Sequence, residues 1–161
     1  MENITLTVNK ADVYDEVAKT TSYVGAKSLG DGDAAVYDRM FVADADRTML
    51  ERFWTEACNG ATEMMKRYVV SVSDQSESRE VAMGKDYSVT LAISERFDTA
   101  LRGGMETSLF SYFVNAIVAK WFRMTNRTDA EAYATDAASC LMDVESKMYH
   151  RKAPVRKEVK E

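Results

Sequence analysis

The sequence predicts a mainly α-helical domain, a bundle of about four main helices with an inserted β-hairpin and a short N-terminal strand. Proline occurs once and glycine seven times in 161 residues, so long helices are rarely interrupted. Apolar residues recur at helical spacing in four long segments, whereas alternation is confined to three short ones. Hydrophobic residues make up 46% of the chain, enough for one core, so we expect residues 1–150 to form a single domain.

The three alternating segments are expected to form strands. Every second residue of Ile4–Val8 is apolar, which is the period of a half-buried strand. Val69–Ser73 and Tyr87–Ser94 are rich in β-branched residues and predict a hairpin near residues 69–94. The loop between them, Asp74–Asp86, is longer than a tight turn, so we expect it to be mobile or to contact a partner.

The first two helices are predicted from capping residues and apolar spacing. The first begins after Asn9 and ends near Gly25, and the second begins after Asp44 or Asp46 and runs to about Arg67. A short helical piece is expected before the second helix, over 34–42. The predicted apolar face of the second helix comprises Leu50, Phe53, Trp54, Ala57, Ala61, Met64, Met65 and Tyr68.

The third and fourth helices complete the predicted bundle. A short helix over Glu95–Leu101, capped by Ser94, is expected to stop at Gly103 and Gly104. The third helix follows and is predicted to be central, with Leu109, Phe113, Ile117, Val118, Trp121 and Met124 on its apolar face. Thr128 and Glu131 form a capping-box pattern for the fourth helix, whose predicted face comprises Tyr133, Ala137, Leu141, Val144 and Met148.

Two adjacent aromatic pairs give the sequence its clearest indication of a partner. Phe53 precedes Trp54, and Trp121 precedes Phe122. Neighbouring residues on a helix do not point the same way, so we expect one member of each pair to lie near the surface. Exposed aromatic side chains are typical of protein interfaces.

Charge and termini exclude several classes of function. The net charge is −5 and the pI is about 5.1, which argues against general binding to a phosphate backbone. The N-terminus lacks a signal peptide, and no stretch approaches the roughly 20 apolar residues that span a bilayer. We therefore expect a cytoplasmic protein without a membrane partner. Cys58 and Cys140 are expected to be small buried hydrophobes rather than a disulfide.

The sequence carries no pattern of a catalytic or metal site, so we expect no enzyme activity and no cofactor. His150 is the only histidine, which excludes a di-iron bundle and leaves no catalytic histidine pair. Asp31 and Asp33 resemble the start of a calcium loop, but Val42 stands where the ligating glutamate belongs. An enzyme or ligand binder is one alternative; its site would lie between the second and third helices, with Glu56 or Glu63 and Lys120.

The last eleven residues form a basic segment that we expect to be flexible. Arg151–Glu161 contains five basic and two acidic residues, a net charge of +3, together with the only proline. Such a segment is either a solvated end or an arm that folds on a partner. A regulatory module that binds protein or DNA through this segment is a second alternative.

Several segments resemble small structural proteins of tailed phages and prophages of gut bacteria. The segments are Val8–Thr21, Asp46–Trp54, Ser108–Phe113 and Lys120–Phe122. More broadly, the chain has an acidic-capped helix reading Asp-Arg-x-x-Leu-Glu-Arg, a β excursion, an apolar helix ending in Trp-Phe and a last helix. This order is similar to that of head–tail connector (adaptor) proteins of the phage neck. The hairpin and N-terminal strand depart from the plainest connectors and leave a tail-completion or other virion structural role open.

The resemblance implies a ring subunit rather than an enzyme. The implied partners are copies of the chain itself, the portal protein, and tail or stopper proteins, with DNA able to pass through the ring without sequence-specific binding. The implied location is the host cytoplasm during assembly and then the virion neck. The segment 151–161 becomes a candidate docking arm, and the loop 74–86 a candidate contact with the next ring. The candidate partner-binding residues are Arg151, Lys152, Pro154, Val155, Arg156 and Lys157 in the arm, and Gln75, Glu77, Arg79 and Glu80 in the loop.

Overall fold

Four α-helices and one three-stranded antiparallel sheet make up the part of the chain that the structure describes. This computed structural model describes residues 1–28, 42, 46–72 and 86–156. The elements in chain order are β1 (Glu2–Val8), α1 (Lys10–Ser28), α2 (Arg47–Met65), β2 (Val69–Val72), β3 (Tyr87–Ile93), α3 (Arg102–Thr125) and α4 (Arg127–Tyr149). The predicted class, a mainly α fold with an N-terminal strand and a hairpin, is confirmed. The predicted helical piece over 34–42 lies outside the described residues, except for Val42.

The N-terminal strand and the predicted hairpin join into one sheet. The strand order is β1-β3-β2, so β3 lies in the middle and pairs antiparallel with both neighbours. The register of β1 on β3 runs without a break from Glu2 opposite Ile93 to Val8 opposite Tyr87. The pairing of β2 shifts between Val69 and Ser71. Both strands of the hairpin were predicted from their own pattern, whereas the pairing of β1 with β3 was not predicted.

Helix α3 lies at the centre of the molecule, as predicted. It contacts α1, α2, α4 and β1. The buried residues of α3 include five of the six predicted ones, namely Leu109, Phe113, Ile117, Val118 and Trp121. Met124 is the exception, since its side chain is 52% exposed. It lies one residue before the end of α3, where the chain turns into α4.

The two glycines before the third helix do not interrupt it. Residues 94–97 form a turn, and a short 3₁₀ helix, Thr99–Leu101, leads directly into α3. Gly103 and Gly104 lie in the first turn of α3, so the predicted stop and the predicted helix from residue 95 are wrong. A Cβ atom on Gly104 would lie 3.4 Å from Cε of Lys147 on α4. Such a distance is an ordinary van der Waals contact, so the helix packing does not require glycine at this position.

The capping of the fourth helix also differs from the prediction. Helix α4 begins at Arg127, so Thr128 lies inside its first turn and does not cap it. Asn126 occupies the N-cap position, and its side-chain amide donates to the Asp129 carboxylate at 2.6 Å. The cap of α1 is confirmed, because the Asn9 side chain accepts a hydrogen bond from the Asp12 N–H at 3.0 Å. Helix α1 continues beyond Gly25 to Ser28.

The prediction that one aromatic of each pair is exposed is wrong. Phe53 and Trp54 on α2 are 3% and 0% exposed, and Trp121 and Phe122 on α3 are 7% and 0% exposed. The central helix α3 has packing neighbours on several sides, so adjacent residues that point in different directions both reach the core. These aromatics therefore give no evidence for a partner.

Candidate interaction arm and buried polar cluster

The first two residues of the predicted tail are held against the body. Helix α4 ends at Tyr149, and Arg151 then forms an antiparallel bridge with Phe97. The Lys152 N–H donates to the Arg96 carbonyl at 2.8 Å. The Arg151 guanidinium donates to the Met148 carbonyl at 2.9 Å, which is one of the last carbonyls of the helix. These bonds fix the point at which the chain leaves the bundle.

The residues that follow are uncovered. Lys152–Arg156 are all exposed, and the side chain of Val155 is 92% exposed. Pro154 has no N–H to donate, so this segment cannot continue α4. The described part of the arm thus presents two basic side chains around an apolar Pro-Val pair. Lys157 lies outside the described residues.

The candidate residues of the hairpin loop cannot be placed. Gln75, Glu77, Arg79 and Glu80 all lie outside the described residues, which resume at Asp86. The Asp86 carboxylate accepts a hydrogen bond from the Lys10 N–H at 2.9 Å. This contact places the end of the loop beside the start of α1.

The most unusual polar group of the described chain is a buried lysine. Lys10 is only 3% exposed, and its Nζ lies 2.5 Å from Oε2 of Glu51 on α2. The Tyr14 hydroxyl donates to the other carboxylate oxygen of Glu51 at 2.8 Å. The ammonium also lies 5.6 Å and 5.7 Å from the ring centroids of Tyr14 and Trp54. We call Lys10, Tyr14, Glu51 and Trp54 the buried polar cluster.

The titration of the neighbouring groups makes the cluster a poor site for acid–base chemistry. Burial, followed by the hydrogen bond to Glu51, raises the pKa of Tyr14 well above its usual value. Burial raises the pKa of the nearby Cys58 thiol to about 12. Both groups therefore stay protonated at neutral pH, and the thiolate needed for nucleophilic attack is absent. The arrangement instead cross-links α1 to α2.

The position of Lys10 in the sequence indicates that its side chain is buried, although no motif includes this residue. Lys10 precedes Val13 and Val17 by three and seven residues, so it lies on the core face of α1. A charged residue on a core face requires a partner. That partner, Glu51, is 41 residues away, and no local pattern identifies it.

The residues of the alternative ligand site meet only in part. Lys120 on α3 forms an ion pair with Glu56 on α2, and Arg52 approaches the same carboxylate at 3.8 Å. Glu63 does not join them, because it pairs with Lys66. The side chains of Lys120 and Glu56 are 31% and 44% exposed. They form a surface ion-pair network between helices rather than a convergent set of unpaired polar groups.

A second polar cluster links the start of α3 to the end of α4. The Ser108 hydroxyl donates to the Asp143 carboxylate, and Lys147 pairs with the same carboxylate while its Nζ lies 3.3 Å from the Ser108 oxygen. These hydrogen bonds, that of Lys147 first, hold the pKa of Asp143 below its usual value. Because the ammonium is engaged by a carboxylate, it is badly placed to remove the serine proton. The cluster ties the two helices together.

The opposite end of the α3–α4 hairpin carries an open depression. It is lined by Arg123, Arg127, Ala130, Glu131 and Ala134. Helices α3 and α4 run antiparallel, so this depression and the arm lie at opposite ends of the hairpin.

A metal site and a membrane-spanning helix each require a definite arrangement of side chains. Within residues 1–28, 42, 46–72 and 86–156, no group of three or more His, Cys, Asp or Glu side chains is arranged to hold a metal ion. No helix of this part of the chain is long and apolar enough to cross a membrane. Cys58 and Cys140 are both free; Cys58 is buried as predicted, whereas Cys140 is half-buried. Searches against protein-family models, curated proteins and solved structures find no match to this chain.

Proposed function

We propose that the chain is a non-enzymatic structural protein of a phage virion neck, whose copies form a ring that joins the portal to the tail. The observation that carries this proposal is the arm. Its base is fixed by the bridge between Arg151 and Phe97, and farther along its described part the side chain of Val155 is almost completely exposed. An anchored base limits the ordering cost when such a segment binds, and the exposed valine between basic side chains offers a partner an apolar contact.

Charge favours an acidic partner for the arm. The segment 151–161 has a net charge of +3, whereas the whole chain has a net charge of −5, so the rest of each copy is acidic. Other copies of the chain therefore offer surfaces of the opposite sign. Contacts between different surfaces of identical subunits close into rings when the rotation allows it. The resemblance to head–tail connectors supports the same assembly.

The polar clusters suit a structural role. The buried polar cluster joins α1 to α2, and Ser108, Asp143 and Lys147 join α3 to α4. Groups that are already bonded to one another stiffen a bundle but leave nothing to bind substrate. In the proposed assembly the partners are further copies, the portal protein, and tail or stopper proteins, and DNA passes through the ring. A tail-completion role is the alternative within the same class, because the hairpin and the N-terminal strand depart from the plainest connectors.

The test is to image the purified protein by negative stain, alone and mixed with the portal ring from the same genome. Mass photometry then counts the copies bound. The variant to compare is a truncation after Lys152, which keeps the hydrogen bond to Arg96 and removes the rest of the arm, including the exposed residues 153–156. Val155→Ala is a milder variant with the same charge. We expect an added ring of density on one face of the portal for the full chain, and its loss after truncation.

Two results would contradict the proposal in different ways. A protein that ignores the portal but binds the ends of tail tubes would replace the connector role with tail completion. A protein that binds neither, with the truncated and full chains behaving alike, would remove the virion role. Circular dichroism of each variant separates loss of binding from loss of folding.

A further inference from the structure

Strand β1 lies at the edge of the sheet that the described residues form, so alternate backbone groups of β1 point away from β3. The Thr7 N–H points away from β3, because it donates to the Glu106 carboxylate on α3 at 3.3 Å. On the central strand, the Ala92 N–H likewise points away from β1 and donates to the Tyr68 carbonyl at 2.7 Å. Asn3 lies opposite Ala92 and is four residues from Thr7, so the backbone groups of Asn3 and Thr7 point to the same side of β1. The N–H and C=O groups of Asn3, Thr5 and Thr7 therefore all point outward.

The side chains around this edge agree with that orientation. Thr5 and Thr90 face each other across β1 and β3, and their hydroxyl groups lie 3.0 Å apart. Such a short distance is typical of a non-hydrogen-bonded pair, in which the backbone bonds of each residue point to the other side. Thr5 is thus the centre of a short row of outward-pointing groups.

Among the described residues, the β1 edge is protected against strand pairing at one end only, where Glu106 accepts the Thr7 N–H. Proteins protect exposed edges with charged side chains, proline or bulges. The other edge, β2, is only four residues long and has a register shift between Val69 and Ser71. Strand β1 is seven residues long, pairs regularly throughout, and carries Asn3, Thr5 and Thr7 along its outward groups. The side chains of Asn3, Thr5 and Thr7 are neutral, which leaves the middle of the edge open to a second strand.

We propose that two copies of this chain pair through their β1 edges, antiparallel about a two-fold axis at Thr5. An antiparallel strand paired with itself is self-complementary, so the contact is closed and joins two copies only. Thr5 then faces Thr5 of the second copy, and Asn3 faces Thr7 of the second copy. This register gives up to about six backbone hydrogen bonds and one continuous six-stranded sheet. The contact uses no residue of the arm and does not rest on the proposed function.

The neutral edge favours a second copy over a charged partner strand. At the two-fold axis the contacting side chains are both Thr5, so β-branched side chains meet without like charges. Charged groups lie at both ends of the described edge: Glu2 begins β1, and Glu106 lies beside Thr7 with Arg102 3.7 Å from its carboxylate. In each copy the Glu106 carboxylate accepts the Thr7 N–H. Two of the backbone hydrogen bonds between the copies therefore form only when this carboxylate moves away. It is therefore a competitor that limits the strength of the pairing.

The test is the concentration dependence of the mass in solution, measured by analytical ultracentrifugation. Thr5→Pro removes an outward N–H but no N–H of the β1–β3 ladder, because the Thr5 N–H does not face β3. Thr5→Val is the matched control, since both variants lose the hydroxyl contact with Thr90 but only proline loses the N–H. We expect a dimer for the wild type and for Thr5→Val, and a monomer for Thr5→Pro.

A variant in the opposite direction sharpens the test. Glu106→Ala frees the Thr7 N–H in both copies and should tighten the dimer on the order of tenfold, the effect of two ordinary hydrogen bonds. If Thr5→Pro fails to fold, Thr5→Lys serves instead, because it sets two ammonium groups against each other at the two-fold axis and should separate the copies. A wild type that stays monomeric up to about 1 mM would overturn the proposal. A dimer that survives both Thr5→Pro and Thr5→Lys would also overturn it, whatever the arm does with the portal.

Discussion

Replacing Lys10 by methionine is expected to lower the free energy of unfolding by about 3–5 kcal/mol, the typical cost of breaking a buried ion pair from one side. The side chain of Lys10 is 3% exposed and that of Glu51 is 16% exposed, so water can replace the lost ammonium only in part. Methionine fills much of the same volume, which limits any cavity. The cost therefore arises from the Glu51 carboxylate, which is left largely buried and keeps one of its two side-chain partners in the described residues, the Tyr14 hydroxyl. Since domains are stable by about 5–15 kcal/mol, this is a large fraction of the total.

A second substitution tests this explanation. Glu51→Gln removes the charge but keeps a side-chain oxygen that can accept the Tyr14 hydroxyl. The double variant Lys10→Met with Glu51→Gln should therefore be more stable than Lys10→Met alone by about 2 kcal/mol or more, because no charge remains buried without a partner. Loss of packing around Lys10 would predict no such recovery.

Urea unfolding followed by tryptophan fluorescence measures these differences. Trp54 is well placed as a probe, because its ring lies 5.7 Å from the Lys10 ammonium. Lys19→Met is the control, since Lys19 pairs with Asp15 on the exposed face of α1, where an ion pair adds little. A Lys10→Met variant that loses less than about 1 kcal/mol would refute the reasoning, as would a double variant no more stable than the single one.

Three further outcomes follow from the geometry. Gly60→Ala should destabilise the fold by about 1–3 kcal/mol, because its Cβ would lie 2.4 Å from the Tyr112 hydroxyl oxygen. Thermal unfolding should show that adding Tyr112→Phe to the same chain removes most of this cost. A thiol reagent at pH 8 should label Cys140 before Cys58, whose pKa burial raises to about 12; equal rates would contradict the assignment. Titration by NMR should place the pKa of Asp143 below its usual range. The contribution of this carboxylate to stability is therefore present above its pKa in the unfolded chain, about 3.9, and is lost as the pH falls through its pKa in the folded chain.

Local patterns predicted the elements well because periodicity and burial share one cause. Alternation in Ile4–Val8 and in Tyr87–Ile93 reflects a sheet with one buried face, and both strands formed as predicted. Five of the six residues predicted for the apolar face of α3 are buried, and the exception, Met124, lies one residue before the end of the helix. Long-range pairing has no such local signature, so neither the position of β1 beside β3 nor the ion pair of Lys10 was predicted.

The errors at helix ends have a different origin. Gly103 and Gly104 were expected to stop a helix, since glycine favours turns when nothing else constrains it. In the structure both glycines lie in the first turn of α3, and the packing of this long helix against its neighbours outweighs the intrinsic cost of glycine in a helix, which is about 1 kcal/mol. Of the candidate contact residues, the structure gives positions to those from Arg151 to Arg156 and to none of the hairpin loop.

The pairing of β1 with β3 constrains the order in which parts of the protein can fold during synthesis. Thr5 and Thr90 touch across a separation of 85 residues, whereas α3 and α4 are adjacent in the chain and meet across a tight turn. At a synthesis rate of about 5–20 residues per second, the first strand waits roughly 4–17 s on the ribosome before its partner emerges. During that interval Leu6 and Val8 remain without their core. Helices α3 and α4 leave the ribosome one after the other, so they can pair as soon as they are released. Strand β1 is released early but cannot pair until β3 has also been released.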